Sequence, residues 1–272
     1  MPLRPWFDTL RPYGIAWPGE ETVASLREIW PEESGPLSGL GMPLRVTESG
    51  ADQGAVAYEL GIANSGQLPT RNNAHDWFNA LMWLAYPQTK RALNRLQAEQ
   101  AEQVSAGLTN SASGKGLTRT RIRDALTVLD ENGAVFVTPC AEKVEALSQF
   151  RWRELFVRGR TDWVSTTSIF LIGHALLEKL EHPHLGVCAH AAVWLMPEIE
   201  WKQFCELGSS QRRARVDAWL ACWLLEHLTT PQVLQPLPVL GVPGWWAANE
   251  DECFYNNTVV FRAGRSVRPR SK

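Results

Sequence analysis

Residues 72–87 constrain the fold more than any other part of the chain, because they place large apolar side chains at regular intervals around a few polar groups. Trp77, Leu81 and Leu84 recur every three or four residues, which predicts a helix over about 75–85. The proline that closes the segment cannot continue that helix. The chain is therefore expected to be built around a helix that carries polar groups into an apolar environment.

The remaining patterns predict a mainly α fold with a small β component (α+β), arranged as a single compact helical domain of residues 1–272. Residues 1–70 are rich in proline and glycine and are expected to form an N-terminal wrapping arm. A core region of residues 71–262 follows, and the basic tail 263–272 is expected to be disordered. Further helices are expected over about 90–102, 141–149, 165–181, 201–206 and 210–227.

The predicted β component is small. A short β-hairpin is expected within residues 122–137, where an Asn-Gly turn precedes the apolar run 134–137. Two brief strand-like runs lie within 46–60, and residues 258–261 have the same character. The C-terminal segment 237–246 is rich in proline, glycine and tryptophan, which predicts an irregular structure.

Charge and hydropathy exclude several classes of partner. The formal net charge is -2 and the isoelectric point is near 6.3, so neither nucleic acid nor a membrane surface is an expected partner. No apolar run approaches the ~18 residues that a membrane span needs, and no apolar leader is visible. A cytoplasmic protein that binds an unknown small molecule is the expectation, and the sequence does not indicate an oligomeric state.

Thirteen tryptophans are unusual for 272 residues. A tryptophan buries a large area and carries one N–H that requires an acceptor. Many of them indicate either a bulky core or an aromatic-lined cleft. Most fall within amphipathic patterns, which favours the core.

His75, Asp76 and Asn79 are the polar groups of the predicted helix 75–85. Neighbouring residues on a helix point about 100° apart, so His75 and Asp76 do not form a dyad with each other. His75 and Asn79 share a face, and such a pair can hold a substrate or a metal. The structural alternative is a buried histidine bonded to a backbone carbonyl.

A charged cluster spans residues 119–131. It contains Arg123, Asp124, Asp130 and Glu131, and a solvated surface is the usual meaning of such a run. The two aspartates flank an apolar stretch, however, where the pKa and pairing of a carboxylate matter. Asp124 and Asp130 are therefore candidate catalytic groups, with Arg123 and Glu131 as candidate binding groups.

A third polar group lies within residues 168–182. His174, Glu178 and His182 are spaced by four residues, which stacks them on one face of the predicted helix 165–181. This spacing favours a divalent-metal site with His174 and Glu178 as ligands, although it differs from the zinc-protease motif. The alternative is a glutamate that orients a buried histidine.

The C-terminal segment supplies candidate binding residues Trp245, Asn249 and Tyr255. A rigid, glycine-rich loop can form one wall of a cleft, or it can act as a plug that covers the core. Neither a serine nucleophile elbow nor a local thiol-protease signature is present, so acyl transfer by such a nucleophile is not expected.

Three blocks together carry a family resemblance. They are HDWFNALMWL at 75–84 with Pro87 and Lys90, RDALT at 123–127 with Asp130, Glu131 and Gly133, and GHALLE at 173–178 with PVLGVPGW at 238–245 and Phe254-Tyr255. As a set, over roughly residues 70–262, they resemble an uncharacterised bacterial family, domain of unknown function 3025. That resemblance implies a proteobacterial cytoplasmic protein and transfers no mechanism. The family often has a second histidine where this chain has Ala74.

Two functions remain open from the sequence. The first is a small-molecule enzyme or ligand-binding protein in which His75, His174, Glu178 and an aspartate of the charged cluster converge on one cleft, with or without a divalent metal. The second is a non-catalytic interaction module with a tryptophan-rich surface. Convergence of the polar groups at a cavity would favour the first.

Overall fold

The computed structural model describes residues 22–31, 35–49, 54–105 and 115–264, and for residues 104, 105 and 115–120 the backbone alone. This part of the chain is mainly helical with two small sheets, as the sequence predicts. The helices are α1 Val23–Ile29, α2 Ala55–Ser65, α3 Ala74–Ala85, α4 Pro87–Ser105, α5 Lys115–Asn132, α6 Ala141–Ser148, α7 Trp163–Thr166, α8 His174–Lys179, α9 Glu198–Glu206 and α10 Ser209–His227. The strands are β1 Arg45–Glu48, β2 Gln67–Thr70, β3 Gly133–Thr138, β4 Ser168–Leu171, β5 Cys188–Leu195 and β6 Gln235–Pro238.

The larger sheet has the strand order β4-β3-β5-β6. Strand β3 runs parallel to β5 and antiparallel to β4, and β6 runs antiparallel to β5. All six residues of β3 are buried, because its Gly-Ala-Val-Phe-Val-Thr sequence is apolar on both faces. The sheet therefore lies inside the molecule, and α8 begins directly beside β3.

The smaller sheet pairs β1 with β2 in parallel through the connecting helix α2. Gly66 ends α2 with a φ of 68°, a left-handed conformation that favours glycine, and its N–H bonds to Ile62 O. A side chain at this position would overlap the carbonyl oxygen of Pro43. This tight turn fixes the start of β2 against β1.

Helix α3 lies at the centre of the core. Asn73 is its N-cap, and its side chain accepts a hydrogen bond from Asp76 N at 2.8 Å. Residues 77–83 are all buried. The predicted helix over 75–85 is therefore confirmed, and its apolar bulk is used as core.

Helix α4 begins at Pro87, where a missing N–H costs nothing. The carboxylate of Asp217 in α10 accepts from Gln88 N at 3.0 Å and from Thr89 N at 2.8 Å. A side chain distant in sequence thus caps α4 and joins it to α10.

Several predicted elements are wrong. No hairpin forms at 122–137, since Asn132 and Gly133 join α5 directly to β3, which pairs with β4 and β5. The predicted helix 165–181 contains β4 before α8, because residues 168–171 pair with β3. The second strand-like run within 46–60 is part of α2, and residues 258–261 form turns.

Parts of two predicted segments lie outside the described residues. These are positions 1–21, 32–34 and 50–53 of the N-terminal arm and positions 265–272 of the basic tail. Among the described helices, none combines the length and the apolar character needed to cross a membrane.

Candidate functional site

A cavity of about 310 Å³ opens between α2, α3, α4, α5 and α8. Its lining includes His75 and Asn79 of α3, Asp130 of α5 and His174 of α8. Three separate blocks of sequence therefore meet at one cavity. A concave site with a few convergent polar groups is the usual form of a small-molecule site.

His75 is held at the rim of the cavity by Glu178. Nδ1 of His75 lies 2.9 Å from Oε2 of Glu178, and each side chain is 41% exposed. Because an ionised carboxylate only accepts, we assign the hydrogen of this contact to Nδ1. Neutral His75 therefore presents Nε2 as its acceptor.

His174 contacts that acceptor from inside the protein. The two Nε2 atoms lie 3.1 Å apart, and the rings meet edge to face. Burial lowers the pKa of His174 to about 4, so this imidazole is neutral near pH 7. Because Nε2 of His75 is assigned as the acceptor, we assign the single N–H of His174 to Nε2, where it donates to His75.

Asp130 lies behind His174. Its Oδ2 is 3.8 Å from Nδ1 of His174, too far for a hydrogen bond. When His174 keeps its hydrogen on Nε2, its Nδ1 lone pair faces this carboxylate region. A second proton on the histidine pair would move the His174 hydrogen to Nδ1, toward Asp130, and leave Nε2 free to accept from His75.

Lys90 neutralises Asp130 beneath the cavity. Its Nζ donates to Asp130 Oδ1 and, at 2.8 Å, to Asn79 Oδ1, and it lies 5.4 Å from the centre of the Trp83 ring. Burial opposes ionisation of Asp130, but Lys90 and the neighbouring histidines together outweigh it, so the pKa of Asp130 is lowered. The buried pair thus fixes the floor of the site in its charged form.

Asn79 extends this network toward α2. Its Nδ2 donates to Tyr58 OH at 3.0 Å while its Oδ1 accepts from Lys90. Burial, followed by the charge of Glu59, raises the pKa of Tyr58, so the phenol stays protonated. The amide of Asn79 is therefore fixed in orientation by one donor and one acceptor.

Glu59 of α2 also lines the cavity. Its Oε2 accepts from Asn94 Nδ2 at 2.8 Å. Burial raises the pKa of Glu59 to about 7, and the nearby charge of Asp130 adds to that effect. A carboxyl group in the cavity wall thus changes its charge near neutral pH.

Asp76 has a structural partner. Its carboxylate accepts from Arg71 Nε at 2.9 Å, Nη2 at 2.9 Å and backbone N at 2.9 Å. Burial opposes its ionisation, but these contacts dominate and lower the pKa of Asp76. As the sequence indicates, Asp76 does not pair with His75.

The remaining candidates of the charged cluster separate. Arg123 and Glu131 line the cavity beside Asp130. Asp124 is exposed and is absent from the lining. Helix geometry explains the difference, since Asp124 lies six residues before Asp130 and points to another face of α5.

The C-terminal candidates lie elsewhere. Nδ2 of Asn249 donates to Leu240 O at 2.9 Å and Val242 O at 2.7 Å, and Tyr255 OH donates to Gly241 O at 2.9 Å. Trp245 packs against the core. None of the three candidates lines the cavity, and their contacts are those of the plug considered from the sequence.

The predicted metal ligands His174 and Glu178 do not face one point. They contact opposite nitrogens of His75, which lies between them. His182 is exposed beyond the end of α8. Within the described ranges, no cluster of three or more His, Cys, Asp or Glu side chains is arranged to hold a metal ion.

Sequence reasoning did not single out Glu59, Tyr58 or Lys90 as site residues. A signal for Lys90 exists, because it lies three residues before Leu93 on the apolar face of α4 and carries a charge there. Glu59 likewise precedes the buried residues Ile62 and Ala63 at helical spacing. A charged residue at a core position of a helix is the pattern that could have identified both.

A comparison with known protein families identifies the family of the chain. The family model described as protein of unknown function (DUF3025) matches residues 45–265, and the chain belongs to that family. The predicted resemblance is therefore confirmed over a longer segment than expected. Neither a curated protein nor a solved structure matches the chain.

Proposed function

We propose that this protein is an enzyme that binds a small molecule in the cavity and moves a proton on it with His75. The observation that carries the proposal is the contact of His75 with Glu178 on one nitrogen and with His174 on the other, at the rim of a polar cavity. A histidine oriented by a carboxylate is a common arrangement for a general acid–base.

The chemistry follows from which nitrogen is open to exchange. Glu178 holds the hydrogen on Nδ1 of His75, so a substrate proton is accepted at Nε2. A substrate hydroxyl or a water that enters from the cavity replaces the His174 N–H as the donor to that nitrogen. The Glu178 carboxylate then stabilises the imidazolium that forms.

His174 acts as a positioning residue in this scheme. Its neutral, buried ring keeps the His75 ring in place when the cavity is empty. The floor below is a neutralised Lys90–Asp130 pair, which adds no net charge of its own. The cavity volume of about 310 Å³ lies at the lower end of small-molecule sites, roughly 300–1,000 Å³.

The test is a screen of small metabolites against wild type, His75→Gln and the matched control His182→Gln. His182 is exposed and lies outside the cavity lining. Compounds that bind wild type are then followed by proton NMR in D2O for turnover or deuterium uptake. We expect turnover to be lost in His75→Gln and retained in the control. A compound that is turned over equally by all three proteins would contradict the proposal.

The interaction module has less support. Five of the eleven described tryptophans are buried, and the other six pack against the core. Within the same described residues, none of the exposed large apolar side chains is a tryptophan. No observation here favours a tryptophan-rich docking surface, so the module is not developed as a second function.

A further inference from the structure

Glu59, a half-buried residue, is the one cavity-lining carboxylate of α2, and it differs from Asp76 and Asp130 in its partners. Asp76 is paired with Arg71, and Asp130 is paired with Lys90. In the described part of the chain, no Lys, Arg or His nitrogen lies within 4.0 Å of the Glu59 carboxylate. Its hydrogen-bond donors are neutral amides: Asn94 Nδ2 at 2.8 Å and, with its amide turned so that both of its atoms are paired, Gln97 at 3.1 Å.

The surroundings of Glu59 do not supply a counter-ion. From α4, the charge of Lys90 favours an ionised Glu59, but its Nζ bonds to Asp130 and Asn79 rather than to Glu59; from α5, the Asp130 carboxylate repels a second negative charge. Tyr58 beside it on α2 stays a neutral phenol. A half-buried carboxylate in a cavity wall, with no counter-ion beside it, is stabilised by taking up a proton or by binding a cation.

We propose that the cavity recognises a cationic nitrogen of its ligand, an ammonium or a guanidinium, and that Glu59 is the side chain that binds it. This inference rests on the proposed function, because it takes the cavity as the ligand site and names the class of ligand. The cation supplies the positive partner that Glu59 lacks and donates to the carboxylate oxygens. Its other end extends toward His75 at the rim.

Charge in the rest of the lining is compatible with this occupant. Arg71 is engaged by Asp76, and the ring of His174 is neutral. Arg123 is exposed, so its guanidinium can stay in solvent. Glu131 adds a second carboxylate to the lining.

The affinity for a cation is expected to follow the ionisation of Glu59. Because the pKa of Glu59 is raised to about 7, the carboxyl is mostly protonated at pH 6 and mostly ionised at pH 8. The ionised fraction changes about tenfold between these values, and the affinity of a cation changes with it by about tenfold. A ligand without charge has no such dependence.

The experiment measures the binding of four small aliphatic probes of different charge by isothermal titration calorimetry and ligand-detected NMR. They are n-butylguanidinium and n-butylammonium, with neutral N-butylurea and anionic butyrate as comparisons. We expect both cations to bind wild type at pH 8, about tenfold more weakly at pH 6, and at least about tenfold more tightly than N-butylurea at pH 8. Glu59→Gln removes the preference, and the exposed control Glu142→Gln retains it.

Three results overturn the inference. The first is failure of both cations to bind wild type at up to about 10 mM. The second is binding of N-butylurea or butyrate as tight as that of the cations. The third is cation binding that does not change between pH 6 and pH 8, which needs wild type only and so stays decisive if Glu59→Gln does not fold. The proposed function is judged separately, by the effect of His75→Gln on turnover.

Discussion

Replacement of Lys90 by Met tests whether the floor of the cavity depends on a buried ion pair. The Lys90 side chain is 4% exposed and that of Asp130 is 10% exposed, so neither charge is solvated well by bulk water. Methionine keeps the aliphatic volume of the lysine and removes its charge and its bond to Asn79. The Asp130 carboxylate is then left without its counter-ion.

The loss of stability in Lys90→Met is limited by the free energy needed to protonate Asp130. A carboxyl with an ordinary pKa near 4 can always take a proton, which costs about 1.4 kcal/mol for each pH unit and so about 4 kcal/mol at pH 7. Removal of one partner of a buried ion pair typically costs about 3–5 kcal/mol, in agreement with that bound. We therefore expect Lys90→Met to lower the free energy of unfolding by about 3–4 kcal/mol at pH 7.

The dependence on pH has a definite sign. In wild type the pKa of Asp130 is lowered, so its stabilising contribution is present above the ordinary carboxyl range and is lost only as the pH falls through that lowered value. In Lys90→Met, the free energy needed to protonate Asp130 decreases as the pH falls. The difference between the two proteins should shrink to about 1–2 kcal/mol at pH 5.

Urea unfolding at pH 7 and pH 5, followed by tryptophan fluorescence, measures both values. Arg95→Met is the matched control, because Arg95 forms an exposed ion pair with Glu99 on the same helix and should cost less than about 1 kcal/mol. The double variant Lys90→Met with Asp130→Asn should recover about 2 kcal/mol at pH 7, since no charge is left buried. If Lys90→Met lowers the free energy of unfolding by less than about 1 kcal/mol, or by the same amount at both pH values, then Asp130 does not depend on Lys90 as its counter-ion.

Burial lowers the pKa of His174 to about 4, so its nitrogen NMR signals should keep the neutral pattern at pH 5, and a cationic pattern there would be inconsistent with the site. Because folding disfavours protonated His174, the contribution of His174 to the free energy of unfolding should fall as the pH drops from about 6.5 toward 4. His174→Asn should lessen this fall in urea unfolding. Asn249→Ala should lower the free energy of unfolding by about 2–3 kcal/mol, because two buried carbonyls lose their donor. Ligand binding in the cavity, measured by calorimetry, should stay unchanged. Weaker binding would link the C-terminal segment to the site. Protein purified without a His tag should contain less than about a tenth of an equivalent of transition metal by elemental analysis, and a full equivalent would require a metal in the account.

Local patterns predicted the elements whose stability is largely local. The helical spacing around Trp77 identified α3, and the amphipathic pattern of 210–227 identified α10 within one residue at its start. Local patterns did not predict the secondary structure of residues whose conformation depends on pairing with a distant strand. Residues 168–171 form β4 because β3 offers them a partner, and no local signal separates this run from the start of a helix.

The hairpin was wrong for a similar reason. An Asn-Gly pair favours a tight turn, yet here the glycine is needed for close packing. A side chain on Gly133 would overlap the carbonyl oxygen of Leu129 at the junction of α5 with β3. The sequence indicated the glycine and could not indicate which tertiary contact requires it.

The candidate site was predictable in part. The shared helix face of His75 and Asn79 follows from periodicity alone, and both line the cavity. Their hydrogen-bond partners come from α2, α4 and α8, and the order in which helices pack is not contained in local spacing. Glu59 is not a candidate from the sequence because residues 46–60 are predicted to contain strand-like runs, whereas Glu59 lies in α2 and reaches the cavity from that helix.

We propose above that the cavity bounded by His75, His174 and Asp130 binds the small molecule on which the protein acts. The most direct test is a crystal structure of wild type with a compound that it turns over or, failing that, binds. We expect the compound inside the cavity, with a polar atom within about 3.2 Å of Nε2 of His75. A compound bound elsewhere, with the His75–His174 contact undisturbed and the cavity occupied by water alone, would contradict it.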